Sequence, residues 1–575
     1  MEVTIEPEIK EKKKRSFFDD DDDEEEDKTP KGPSKFSLWL NKYFHHIDRG
    51  GSLKSEITSG ISSLIFIICA IFINMQVISQ YLITDVNDYG TNADIIASIY
   101  FACTIVSIIG TLAIGLVARL PLSQSTSLVF TTLMISTWGA SNGLTYYNLL
   151  ALCFISSIVY ALIVSIPQVR DFLRKGLPLH LQKALKAAIG LLIAFYALQL
   201  SGLISINDSG LSIFGIGIMG NSNSTLQIGY ITTIGGFSYT YDKYHPYLEI
   251  GFISAVVALI LALIFKGRKF KHPYLWSLLI GQGLFIVLGL IFCYSTFTSW
   301  GRIWLIGGDD SYMGHILTVG LKYFSFDKVF TEGFDFSSYT GNLFTLILGS
   351  VVSFTAMSLL DAKGSIDGVN DSAEIEYSSV EKESKLALIC NAGINVIAPM
   401  FGVPPVEISK SSLVGSEDKA KSGISSLVVG IGLVLSLFAW VVPTVFATGT
   451  SYNAQTNMYG HLNSGTLQTV IECSFGVVDA LMVFIGLSML KHAMDINWKS
   501  LSESASWIAV VVGTLVSSSI AVGVALGLGV YCLLKLTEIK KNPEGGMPIS
   551  LKEIGIPTAV LTGIMLIGVL IIPAI

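Results

Sequence analysis

The sequence predicts an all-α polytopic membrane protein whose fourteen transmembrane segments form two inverted repeats of seven, with short strands in segments 3 and 10. Three observations predict this fold. Of 575 residues, 51% are hydrophobic and only 14% are charged, whereas soluble domains carry about 25% charged residues. The basic clusters alternate along the chain in a way that sets orientation. Two segments at matching places in the two halves are broken by proline and serine, the usual mark of a transporter's binding site.

The elements follow in order. Residues 1–47 read as a disordered acidic cytoplasmic tail. Lys10 to Arg15 is a basic run and Asp19 to Asp27 holds nine consecutive carboxylates, a composition that cannot bury apolar surface. Apolar segments near the 20-residue membrane length then fall at 57–82, 95–118, 145–166, 183–204, 248–266, 274–294, 340–361, 385–400, 422–447 and 467–490. Two shorter, more polar stretches, 121–137 and 404–416, complete the first twelve segments. Residues 506–536 are apolar with a notch at Ser517, Ser518 and Ser519, which predicts two short helices turning near Ser518. The clusters at 169–183, 266–272, 416–421, 491–499 and 535–546 are expected on the cytoplasmic side with the N-terminus, and loops 205–246, 295–335 and 448–466 outside. Residues 537–575 form a C-terminal extension with one more apolar segment. The polar first 50 residues contain no cleavable leader, so the first span is expected to direct insertion, and the plasma membrane is the expected location.

The broken segments read "RLPLSQSTSL" (119–128) and "VPPVEISKSSL" (403–413). Both run from proline through a short extended stretch to a serine-rich helix start. Backbone at membrane depth must satisfy its own hydrogen bonds, so the two extended stretches are expected to pair. The helix starts would then converge on a polar site near mid-membrane. Pro404 and Pro405 disfavour helix before them, and Ser409 or Ser412 is the expected cap. Free N–H groups at the half-helix starts would face a substrate.

"LLDAKGSIDGV" (359–369), followed by "GVPPVEISKSSLVG" (402–415), resembles the AzgA-like purine permeases of the nucleobase–ascorbate transporter group. The resemblance covers roughly residues 48–536. It implies a substrate-carrying core from segments 1–4 (48–168) and 8–11 (336–450), and a gate from segments 5–7 (169–335) and 12–14 (451–536). It implies a secondary transporter importing a purine nucleobase, with proton symport by alternating access, and a homodimer is compatible with it. The family's eighth span carries two carboxylates three residues apart; here Ser358 stands at the first place and Asp361 at the second. Its tenth span carries a purine-binding glutamate where Ser411 stands, and its third an asparagine where Thr131 stands.

The candidate substrate residues are therefore Asn74, Ser125, Ser127, Thr131, Ser358, Asp361, Glu407, Ser409, Lys410 and Ser411, with Asp361 and Glu407 also assigned to proton coupling. Asp361 ends an apolar run, so it either serves the site or reaches water at a helix end. Glu407 either takes over the family glutamate or pairs with Lys410. Lys410 either neutralises Glu407 or attracts an anion, which keeps an anion carrier of the same fold as a second reading. A non-transporting receptor or scaffold is a third, suggested by the large outer loops and the acidic tail. Asp479 reads mainly as a helix-to-helix bond, as do Gln199, Asn391 and Asn395; Asn74 and Gln76 are the better site amides. The seven cysteines, Cys69, Cys103, Cys153, Cys293, Cys390, Cys473 and Cys532, show no metal-ligand spacing and read as small core residues. No metal, cofactor or nucleic-acid partner is expected. The chain has no P-loop, HExxH or GxSxG, so ATPase and hydrolase chemistry is not predicted.

Overall fold

The computed structural model describes residues 34–82, 89–140, 142–201, 203–207, 210–213, 246–292, 320, 328–337, 339–375, 377–437, 449–450, 473–474, 476–490, 496–537 and 549–571. The acidic run and most of the long polar loops lie outside these residues. Among the described residues, nine helices are long and apolar enough to cross a membrane, and four more apolar helices are shorter. The chain is thus a multi-pass membrane protein.

The first half runs α1 (Lys35–Phe44), α2 (Leu53–Leu82), α3 (Tyr89–Ala113, prolonged by a π-turn to Ala118), β1 (Gln124–Thr126), α4 (Leu128–Leu133), α5 (Tyr146–Ser165), α6 (Pro167–Gly176), α7 (Leu179–Leu200), the hairpin β2 (Ile204–Asn207) and β3 (Gly210–Ile213), α8 (Pro246–Gly267) and α9 (Pro273–Phe292). A short helix α10 (Lys328–Thr331) precedes the second half. That half runs α11 (Leu343–Ser372), α12 (Tyr377–Ile397), β4 (Val406–Ile408), α13 (Ser411–Glu417), α14 (Gly423–Ser436), α15 (Gly476–Ser488), α16 (Leu501–Ser517), α17 (Ile520–Thr537) and finally α18 (Ile549–Met565). Ser518 adopts a left-handed conformation (φ 53°) and separates α16 from α17, so the apolar stretch 506–536 turns where its serines interrupt it.

Helix packing exposes the repeat. In the first half α2 and α3 pack on α14; in the second, α11 and α12 pack on α5. Likewise α8 packs on α9 and α15, as α16 packs on α17 and α7. Exchanging the halves therefore maps each of these contacts onto another. Contacts between equivalent elements map onto themselves. β1 pairs antiparallel with β4, Ser125 opposite Glu407, and α7 crosses α15 at Gly190 and Gly486, where a side-chain carbon on either would strike the other's carbonyl oxygen. The antiparallel pairing of the equivalent strands β1 and β4 fits an inverted repeat.

Two expectations are corrected. The tail expected through residue 47 gives way at Lys35 to α1, capped by Ser34 and exposing Phe36, Leu38 and Trp39. Tyr43 anchors it by donating to the Leu116 carbonyl (2.8 Å), with the Arg119 guanidinium over its ring. The segment expected to end at residue 361 continues as helix to Ser372. Gly364 and Gly368 let this part of α11 approach Ile189 of α7 and Met489 closely, and Lys363 pairs with Asp367 one turn on (3.1 Å). Packing against neighbouring helices sustains the helix where apolarity runs out.

Candidate functional site

The strand pair sits at the centre of the bundle, and both strands use side chains from flanking helices to satisfy their backbone. Thr111 of α3 accepts from Gln124 N (2.9 Å) and donates to its carbonyl (3.2 Å). On the other strand, Asn395 accepts from Val406 N (2.7 Å) and Asn391 donates to the Val406 carbonyl (3.1 Å). Ser123 and Ser412 join the ends of the two broken segments, and Ser409 N donates to the Ser123 carbonyl (2.8 Å). A backbone without a regular ladder survives here because every interruption has a polar neighbour.

Opposed residues on antiparallel strands share a face, so Ser125 and Glu407 do, and Ser127 follows two residues after Ser125 on the same side. Ser127 Oγ donates to Glu407 Oε2 (2.5 Å) while accepting from Phe130 N, which caps α4. Lys410 Nζ donates to both oxygens of Asp361 (2.8 and 2.9 Å) and lies 3.2 Å from Glu407 Oε2. The result is a buried chain Ser127–Glu407–Lys410–Asp361 that ties both broken segments to the middle of α11. Asp361 is thus neither at a helix end nor in reach of open water: its residue is 4% exposed. Lys410 serves both carboxylates at once, a pairing beyond its expected contact with Glu407.

Several expected residues are not brought to this chain of charges. Thr131 is buried and donates back to the Ser127 carbonyl (2.7 Å), so its hydroxyl is committed within its own helix. Ser358 lies half-buried one turn before Asp361. Ser409 and Ser411 bond to each other (2.8 Å). Asn74 donates to the Thr126 carbonyl (2.9 Å), and its Oδ1 has no partner among the described residues. Of the two expected capping serines, Ser409 accepts from Ser411 N (3.4 Å) at the start of α13, while Lys410 holds the N-cap position without a side-chain bond and Ser412 turns to Ser123 instead. Nor are the N–H groups there free. Ser412 N donates to the Ser409 carbonyl and Leu413 N to the Lys410 carbonyl, both at 3.0 Å.

Asn391 makes the expected helix-to-helix bond, accepting from the Tyr160 hydroxyl of α5 (2.9 Å), and also supports the strand; Asn395, four residues on, serves the strand. Asp479 is buried at the start of α15, but no hydrogen bond or ion pair joins it to a described residue, so the expected helix-to-helix bond is not found there. The Gln76 and Gln199 side chains fall outside the described residues.

Sequence reasoning also missed a ring of polar contacts at the end of the bundle that carries the basic loops. Lys186 of α7 reaches Asp371 of α11 (2.5 Å), Lys266 of α8 reaches Glu417 of α13 (3.1 Å), and His272 approaches Asp418 (3.5 Å). Asp418 also accepts from Ser62 (2.9 Å), and the buried Glu56 accepts from Lys421 N (2.8 Å). Each of the three ion pairs joins a helix or loop around α7–α9 to the elements around the strands.

A polar, charged centre built on two half-helices inside an apolar bundle defines a multi-pass membrane transporter. No protein-family model matches the chain. It is 21% identical over 86% of its length to the guanine/hypoxanthine permease PbuO of Bacillus subtilis, covering 94% of that protein. It is 20% identical over 86% of its length to the adenine permease AdeP of Escherichia coli, covering 90% of it. A putative permease of Methanocaldococcus jannaschii, MJ0326, is 22% identical over 87% of this chain and 93% of its own. These relatives bear out the resemblance to purine permeases of the nucleobase–ascorbate group, and they are transporters rather than enzymes. Among solved structures, the chain is similar to the transmembrane domain of the cyanobacterial bicarbonate transporter BicA (TM-score 0.42, 14% identity, 81% of this chain and 95% of that one). It is also similar to the murine anion transporter Slc26a9 in its inward-facing state (TM-score 0.41, 11% identity, 92% and 78%).

Proposed function

We propose that this protein imports a purine nucleobase across the plasma membrane together with a proton, with its N-terminus in the cytoplasm. The observation that carries the reading is the compensated charge at the strand crossing. One lysine lies between two carboxylates, so the group bears net −1 and a single added proton makes it neutral. A flat, neutral heterocycle suits such a site better than an anion does. Its ring N–H can donate to Glu407, and its acceptors can take hydrogen bonds from the Ser125 and Ser127 hydroxyls. The alternative of an anion carrier rested on Lys410 and on the missing family glutamate. Lys410 is already neutralised by Asp361 and Glu407, and most of the N–H groups are engaged within the turn.

In this reading residues 48–168 and 336–450 form the core that carries the substrate, and residues 169–335 and 451–536 the gate. The core moves against the gate, and the ion pairs at the basic end open when the site faces the cytoplasm. Asp361 holds Lys410 in place, and Glu407 exchanges its hydrogen bonds between substrate, proton and Ser127.

Uptake of labelled hypoxanthine and guanine into proteoliposomes under an inward proton gradient tests this. Wild-type protein should accumulate a purine. Glu407→Gln should weaken purine binding about ten- to a hundredfold, the worth of a buried hydrogen bond to a charged group, and Asp361→Asn should abolish gradient-driven accumulation. Uptake of bicarbonate or sulfate without any purine would sink the purine reading. Purine flux indifferent to pH would sink the coupling, and absence of all flux would return the protein to the receptor reading.

A further inference from the structure

Lys363 and Asp367 project from α11 on a side that the transport site does not use. Asp361 faces Lys410, and two residues further on Lys363 points roughly the other way round the helix. An ionisable pair inside a membrane span calls for a function. Beside this pair lies a cavity of about 290 Å³ between α5, α11, α12, α17 and α18, near the lower end of small-ligand sites. Its walls are mainly aliphatic, including Ile163, Leu360, Leu388, Leu561 and Ile564, and its charged lining consists of Lys363, Asp367 and Lys385. Lys385 sits near the start of α12, at the end of the bundle that carries the basic loops.

The helix beyond the fourteen segments closes this cavity. α18 packs on α6 and α17, and its π-helical continuation (Leu566–Ile571) packs on α11. Gly568 brings that continuation close against Val352. Sequence alone assigned no role to this segment.

We propose that the cavity is a binding site for an anionic phospholipid from the leaflet beside the basic loops, with one acyl chain in the aliphatic chamber and the phosphate at Lys385 and Lys363. The aliphatic walls and the charged lining fit that occupant, the chamber taking part of the acyl chain. Each buried methylene contributes hydrophobic free energy, and basic pockets between spans at the cytoplasmic side favour acidic headgroups. The three charged lining residues sum to +1. Lys385 is available to a headgroup, because its present partner Glu381 is a surface residue with a side chain 40% exposed. Asp367 holds Lys363 at the chamber wall.

Native mass spectrometry of the full chain in neutral detergent, titrated with dioleoyl phosphatidylglycerol or dioleoyl phosphatidylcholine, tests the assignment. Wild-type protein should bind phosphatidylglycerol at least tenfold more tightly. Lys385→Gln should erase most of that preference. Ala356→Phe fills the chamber and should lower retention of both lipids at least tenfold. Ala356→Val, a milder filling, should lower it less and replaces the first variant should that one melt below wild type. Equal wild-type binding of the two lipids overturns the proposal. So does wild-type lipid retention in a filled variant that melts normally.

Discussion

The two broken segments solve one structural problem with different chemistry. In each, a strand of three residues leads into a short helix. On the first, a neutral hydroxyl, Thr111, answers both backbone polar groups of Gln124, and Ser127 caps the helix. On the second, two amides answer the strand, and a lysine stands where a cap would be. The inverted repeat dictates where backbone must be satisfied, and the two halves are free to differ in how. All charge at the crossing comes from the second half; the first contributes hydroxyls.

The largest effect should come from the residue that makes the halves unlike. Lys410→Met leaves Asp361 and Glu407 buried without their cation, and breaking a buried pair in this way costs about 3–5 kcal/mol. Melting of the purified protein should fall accordingly. Combining it with Asp361→Asn should restore part of the loss; full additivity in that double-mutant cycle would deny the pairing.

A smaller effect tests the likeness of the halves. Asn395→Leu orphans Val406 N and Thr111→Val orphans Gln124 N, and each should cost about 1–3 kcal/mol on denaturation. The two losses should agree within a factor of two to three. A loss at only one of them would mean that the strands are not held alike.

The smallest concerns the contact across the crossing. Ser127→Ala removes a cap worth about 0.5–2 kcal/mol together with the Glu407 hydrogen bond, while Ser127→Thr retains both groups. Thermal melts should show a modest fall for alanine and near recovery for threonine. Equal falls for both would remove the hydroxyl from the argument.

Much of the architecture was legible because hydrocarbon imposes simple rules. Spans needed apolar length, and the serines at 517–519 marked a real turn. Paired proline breaks located the strand crossing, and Glu407 and Lys410 were visible as charges in the wrong solvent. What stayed hidden depends on contacts distant in sequence. Asp361 looked terminal because hydropathy fades after it, yet α11 continues by packing Gly364 against α7 and Gly368 against Met489. Its bond to Lys410 spans 49 positions, which no local pattern encodes. Of the two expected capping serines, Ser412 does not cap because it finds a partner in Ser123 across the crossing. α1 was missed because the acidic run before it dominates local composition.

The crossing of α7 and α15 at Gly190 and Gly486 has a further consequence. Each glycine is the other's obstacle, since a side chain at either would press on the opposite backbone. The two copies of the repeat therefore police one another at this point. Drift in one copy is checked at once by the other, whatever cargo the protein carries. A joint so constrained leaves little room for either helix to slide along the other, so the two copies meet at one fixed point.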